Sequence, residues 1–408
     1  MLSAVVIALF GVHFGSAFPL VTRQAQDTFN SPQCAVLPPS TTACGSSDLT
    51  PTNWVNDCID VFVPMSLNAF PPDANWPNVI AQSENPSANM ACNSLTDSSS
   101  CSFPSGDNGV CSNTPDAFQD AFIIQSFLNI YQTLANINQA VQPAHDQLSN
   151  SGFVDSMVND VGREKLPIPR SVLFKLVDLS LNFLPIPAEP ELQAFKNVMK
   201  AFKKIGKKAV SQAEDSAADQ ENTDNQQPSI LKAQLDQTVP DMQSALQDQL
   251  NDIFVNGHDD DPSFYADLLV NGYHLSSVPS VNDFTNSIAQ NLKSYLIAQM
   301  MANTGMTLLI DSIVESCDFP DSNDGNGKCR RLVYAEPNTP VTVATVDRPQ
   351  NIGNLPSYGV LINDVMNNAL DCNGGGKTFN DVDFEGFLET TTQTYPSCLF
   401  GIPVIEQK

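Results

Sequence analysis

Apolar residues recur at helical spacing through the middle of the chain. Between Ser229 and Asn256 the stripe is Leu231, Leu235, Val239, Met242, Leu246, Leu250 and Ile253, in steps of three or four. That spacing puts all of them on one face of a helix. Gly257 ends it, and Pro240 predicts a kink or a split, because proline has no N–H for the preceding turn. A second stripe (Phe118, Phe122, Leu128, Tyr131, Leu134 and Val141) opens at Thr114-Pro115-Asp116. These three residues read as an N-cap, a first-turn proline and an acid at the positive helix end. Pro143 is expected to stop it. A third stripe runs from Val281 to Glu315 through Phe284, Ile288, Leu292, Leu296, Leu309 and Ile313. Shorter segments are Ser171–Leu184, Pro190–Gln212 and Pro262–Val270, the last ending at Asn271-Gly272. Residues 214–228 hold no apolar side chain larger than Ala and read as a solvated loop.

The flanks lack this periodicity. In residues 18–113 Pro, Ser, Asn, Asp and Cys punctuate every few positions, and Ile59–Val63 suits either a strand or turns of helix. Residues 317–408 return to turns and short runs, with Val341–Val346 alternating as strands do. The predicted fold is mainly α: a helical bundle flanked by disulfide-stabilised irregular regions with a few short strands. Four divisions follow: a signal peptide at 1–17, a Cys-rich loop-rich region at 18–113, a Cys-free helical bundle at 114–316, and a Cys-bearing C-terminal region at 317–408.

The first seventeen residues, MLSAVVIALFGVHFGSA, form an uncharged apolar run closing on Gly15-Ser16-Ala17. This is the pattern of a cleaved signal peptide. It places the ten cysteines (Cys34, Cys44, Cys58, Cys92, Cys101, Cys111, Cys317, Cys329, Cys372 and Cys398) on an oxidising route. An even count there predicts five disulfides. Keeping each cluster to itself makes Cys317–Cys329 and Cys372–Cys398 local bridges. A secreted, extracellular location follows.

Charge narrows the partners. Nineteen Lys and Arg stand against 45 Asp and Glu, a formal charge of −26 over 408 residues. Nucleic acid, whose binding rests on basic side chains, is excluded as a partner. Yet Lys196, Lys200, Lys203, Lys204, Lys207 and Lys208 crowd into Glu191–Val210, six of the thirteen lysines of the chain. Leu192, Phe195, Val198, Met199, Phe202, Ile205 and Ala209 form the opposite face. Such a basic amphipathic helix suits a membrane surface or an acidic partner. An alternative stays open, with the lysines solvated beside the acidic loop and the apolar face in the bundle.

Catalytic and cofactor motifs are missing. No Gly-x-Ser-x-Gly elbow and no His-Glu-x-x-His occurs. His145, His258 and His274 are the histidines beyond the signal, and none has a Ser or Cys context that marks a triad. His258-Asp259-Asp260-Asp261 reads as a cap for the next helix. Asp318–Lys328 and Asp371–Asp383 lack calcium-loop spacing, and Gly374-Gly375-Gly376-Lys377-Thr378 lacks the first glycine of a phosphate loop. No metal and no cofactor is expected. Arg330-Arg331 has the form of a dibasic processing site, although an ordinary basic turn is the simpler reading.

Four segments carry a resemblance: Phe122–Leu134 (FIIQSFLNIYQTL), the FKKIGKK run at 202–208, Leu268–Leu275 (LLVNGYHL) and Pro396–Val404 (PSCLFGIPV). With the order of regions, they resemble a group of uncharacterised secreted proteins of filamentous fungi, and more loosely segments that accompany killer-toxin-like chitinase proteins. The resemblance implies secretion and action on other cells, and it carries over no catalytic residue. The expected function is a secreted, non-enzymatic effector or toxin-like protein that uses its basic helix. The alternatives are an extracellular hydrolase with a hidden carboxylate site, or a cell-surface structural or binding protein.

Overall fold

The computed structural model describes residues 49–68, 75–103, 117–162, 227–255, 264–275, 278–311, 317, 322–323, 328–334, 349, 351–378 and 395–407. Three short helices come first: α1 (Pro51–Asn56), α2 (Ile59–Leu67) and α3 (Trp76–Glu84). Thr50 caps α1, its hydroxyl accepting from the Asn53 N–H at 3.2 Å. Asn75 caps α3 in the same way, its Oδ1 accepting from the Asn78 N–H at 3.0 Å. The expectation of an irregular N-terminal region therefore holds only in part. The run at Ile59–Val63 is helical, and the stretch from Asn85 to Phe103 is the irregular one.

The long helix α4 (Ala117–Ser149) carries Phe122, Phe127, Leu134, Ile137 and Val141 on its buried face. It passes through Pro143 rather than stopping there. Ala144, His145 and Leu148, beyond the proline, are buried too. Their burial offsets the roughly 3 kcal/mol that an interior proline costs. After Gly152, α5 (Phe153–Val161) folds back beside it.

The stripe read around Pro240 forms one helix, α6 (Gln227–Phe254), with Leu235, Val239, Met242, Leu246, Leu250 and Ile253 all buried. Its two ends fix its direction. Asp236 meets His145 of α4, while the Phe254 ring lies 5.6 Å from that of Phe127, so α4 and α6 run antiparallel.

Next, α7 (Phe264–Leu269) runs into a 3-10 turn at Val270–Leu275. Asn271 and Gly272 within it are both left-handed, with φ of 59°. A Cβ on Gly272 would sit 2.5 Å from Trp54 Cγ, so only glycine fits under the indole.

Helix α8 (Val281–Asn303) opens with a reciprocal capping box between Ser280 and Asp283. It is shorter than the expected Val281–Glu315. Gly305, at φ 71°, turns the chain, and Met306–Asp311 forms strand β1. Leu309 is thus a strand residue, and Ile313 lies outside the described residues. Strands β2 (Ser322–Asn323), β3 (Cys329–Tyr334) and β4 (Val404–Gln407) complete a sheet of order β2-β3-β1-β4. The β1–β3 and β2–β3 pairs are antiparallel, and β1–β4 is parallel. A 3-10 turn at Ile352–Tyr358 and helix α9 (Ile362–Gly374) pack nearby.

The protein is thus mainly α, with a small sheet. One hydrophobic cluster draws on all three regions read from the sequence, from Trp54 and Trp76 through Phe127 and Phe284 to Leu399 and Phe400. Disulfides join Cys92 to Cys101, Cys317 to Cys329 and Cys372 to Cys398. Cys58 is disulfide-bonded as well. No helix among the described residues is long and apolar enough to cross a membrane.

Candidate functional site

The six clustered lysines, Lys196 to Lys208, lie outside the described residues, as do the signal peptide, Cys34, Cys44, Cys111, His258 to Asp261 and Val341–Val346. Among the described residues, the densest convergence of titratable side chains on a helix–helix seam is around His145.

Helix periodicity assembles half of it. Gln142, Asp146 and Ser149 lie within one turn of His145 on α4. His145 Nδ1 is 3.3 Å from Asp146 Oδ1. Gln142 donates to the same oxygen at 2.8 Å and passes 3.4 Å from Nδ1. These bonds, Gln142 first and His145 next, hold the Asp146 carboxyl below its ordinary value. The other half comes from α6, where Asp236 Oδ1 lies 2.9 Å from His145 Nε2. The imidazole side chain is 9% exposed and the Asp236 carboxylate 65%, so the ring is enclosed while one partner faces water. One turn earlier on α6, Lys232 Nζ binds Asp155 Oδ2 of α5 at 2.7 Å.

This arrangement sets an imidazole between acidic side chains of two helices, with Nε2 close to Asp236 but outside hydrogen-bond alignment, and it lacks a nucleophile. Ser149 Oγ is 3.5 Å from Nδ1, and its hydroxyl donates instead to the His145 carbonyl at 3.1 Å. The ring nitrogens face opposite ways, each toward one carboxylate, which suits ion pairing rather than shared metal coordination. No group of three or more His, Cys, Asp or Glu among the described residues is arranged to hold a metal ion.

Two other polar centres are structural in character. Asp60 of α2 accepts from Trp54 Nε1 at 2.8 Å and from the Asn271 N–H at 2.9 Å. Burial pushes its carboxyl up, against the pull of these two bonds. His274, half-buried in the same turn as Asn271, donates through Nε2 to the Leu268 carbonyl at 2.9 Å. Burial pushes its imidazole down to about 4. Across the molecule, buried Asp160 of α5 accepts from Asn354 Nδ2 at 3.0 Å and from Tyr358 OH at 2.6 Å. Desolvation, then the Asp160 carboxylate, raises that phenol far above its usual range.

The dibasic pair Arg330-Arg331 is neither a turn nor a free processing site. It lies in β3, bonded to β2 on one side and β1 on the other. Arg331 is buried with its Nη1 3.9 Å from Asp311 Oδ2, and Arg330 donates to Asn367 Oδ1 at 3.0 Å.

No known protein family, curated protein or solved structure matches the chain. Sequence reasoning marked His145 but missed its partners. The His145-Asp146 neighbours and the i,i+4 pair Gln142/Asp146 were visible signals. Asp236 had none, because its meeting with His145 depends on how α6 aligns against α4.

Proposed function

We propose that this is a secreted, non-enzymatic effector or toxin-like protein that contacts membranes or an acidic partner through Lys196, Lys200, Lys203, Lys204, Lys207 and Lys208. The observation that carries the reading is the concentration of six of thirteen lysines in Glu191–Val210 of a chain with a formal charge of −26. A basic patch in an otherwise acidic protein directs anionic surfaces to that patch alone. The apolar signal-like run at 1–17 and the disulfides support secretion.

The test is dye release from neutral and anionic liposomes, at about pH 5 and about pH 7, where surface attraction scales with lipid charge. Release from anionic vesicles, abolished when Lys200, Lys203, Lys204 and Lys207 are all changed to Gln, is the expected outcome. The acidic-partner branch is read by retention on a polyglutamate matrix, lost in the same variant. The absence of both release and retention would overturn the proposal.

A further inference from the structure

Among the described residues, four non-glycine residues are left-handed: Cys58, Cys92, Asn271 and Cys398. Three of them are bridged cysteines. An L side chain in this region crowds its own backbone, so such turns need outside support. At Cys398, with φ of 65°, the support can be traced residue by residue. Its side chain is bridged to Cys372 of α9. One turn earlier on α9, Asn368 donates to the Pro396 carbonyl at 2.8 Å and accepts from the Phe400 N–H at 2.8 Å. The turn closes on itself through the Leu399 N–H to the Pro396 carbonyl and the Gly401 N–H to the Cys398 carbonyl. It buries Leu399 and Phe400 fully, with the Phe400 ring 5.1 Å from that of Tyr395. The chain then runs into β4, which lies along β1 at the end of the sheet order. Segment 395–407 is therefore a strap, pinned to α9 at one end and laid along β1 at the other.

We propose that the Cys372–Cys398 bridge is a redox-operated latch for this strap: it holds Cys398 left-handed, and its reduction frees β4 and uncovers the edge of β1. That edge is apolar, since Leu308, Leu309 and Ile310 are the residues paired with β4. An uncovered edge of this kind accepts another strand. The chemistry is exchange with a dithiol. One thiolate of the dithiol attacks a bridge sulfur and displaces the other cysteine as a thiolate, and the second sulfur of the dithiol then resolves the mixed disulfide. Two electrons and two protons pass to the cysteines, and the dithiol leaves as its own disulfide. Without the bridge the strap keeps Asn368 and its apolar contacts. It loses the closure across 26 residues, and an unsupported L residue must carry the left-handed turn. Both cysteines are buried, so exchange waits on local opening and the latch answers slowly. Cys92–Cys101 and Cys317–Cys329 lie outside the strap and do not duplicate it. The latch stands independently of what the lysine segment contacts.

Hydrogen exchange of the full-length protein, read by mass spectrometry, tests the latch. Peptides covering 399–407 and 306–311 are followed before and after treatment with dithiothreitol, with peptides of α4 as the internal standard. Reduction should cut the protection of 399–407 about a hundredfold, the factor of a typical bridge, and lower that of 306–311 with it. The α4 peptides should hold. In the double variant Cys372→Ala, Cys398→Ala the strap should be open already, and dithiothreitol should add nothing. Changing Cys398→Gly instead, again with Cys372→Ala, should restore about fivefold of the lost protection, because glycine takes the left-handed turn without crowding. If the variants do not fold, which loss of α4 protection would show, the reduced unmodified protein still decides. The latch is overturned if 399–407 stays protected once mass tagging shows the Cys372 and Cys398 thiols to be free. It is overturned as well if α4 opens to the same extent, or if the alanine and glycine variants exchange alike.

Discussion

His145 and His274 belong to the same helical body, yet their surroundings differ in kind. His274 sits in the turn that packs against Trp54 and Asp60 through Gly272 and Asn271, with a backbone carbonyl as its own partner, and desolvation pushes its imidazole down. His145 sits on a helix seam with a carboxylate at each nitrogen. The same side chain thus meets a backbone carbonyl in one place and two acidic side chains in the other. Burial alone does not decide between the two roles. What decides is whether the enclosed nitrogens face carboxylates or a single carbonyl.

The corner around His274 is the firmer of the two, and removing its keystone breaks the comparison most severely. Trp54 is fully buried, stacks edge-on against Phe122 at 6.1 Å, roofs Gly272 and donates to Asp60. Trp54→Ala should cost about 3–5 kcal/mol, because it opens a cavity and strips a buried carboxyl of a donor. Urea unfolding at neutral pH measures this. A loss under about 1 kcal/mol would mean that the corner does not anchor the fold.

Next in size is the acid limb that His274 imposes. Its imidazole is pushed down to about 4 in the folded chain, whereas an unfolded chain's titrates near 6.5. Between those values the unfolded chain binds a proton that the folded chain refuses. Stability must therefore fall as the pH drops from about 6.5 to about 4, by roughly 3 kcal/mol at most. Asp60, pushed up by burial, works the other way, adding stability in acid that is lost as pH rises. His274→Gln keeps a donor for the Leu268 carbonyl and removes the titration. Thermal melts across this range should show the acid limb flattened in the variant. An unchanged limb would place the acid sensitivity elsewhere.

The same contrast explains how much could be read from the sequence. Periodicity located α6 and the first part of α8, and the predicted core residues Leu235, Leu246, Phe284 and Ile288 are all buried. It does not separate Met306–Asp311 from α8, because a short run such as Leu308–Ile310 carries no period of its own and the chain reverses at Gly305. It stopped α4 at Pro143 because the rule for proline is local, whereas the burial of Ala144 and Leu148 beyond it is tertiary. The N-terminal helices are hidden by their turn-rich composition, and Trp54 and Trp76, both buried, stand in no periodic stripe that would mark them as core. His145 was visible as a residue but not as a site. Its environment is made by two helices far apart in the chain, and only packing brings Asp236 to it.

The smallest effect is expected at an exposed ionic tie beside the His145 seam. Lys232 and Asp155 join the same part of α6 to α5 across 2.7 Å, but both side chains are substantially exposed. Water and salt screen such a pair, so Asp155→Asn should cost only about 0.2–0.5 kcal/mol. The cost should vanish at about 1 M salt. Paired melts of the unmodified chain and Asp155→Asn at low and high salt check this. A cost that persists in salt would mean that the tie acts through its hydrogen bond and packing rather than through charge.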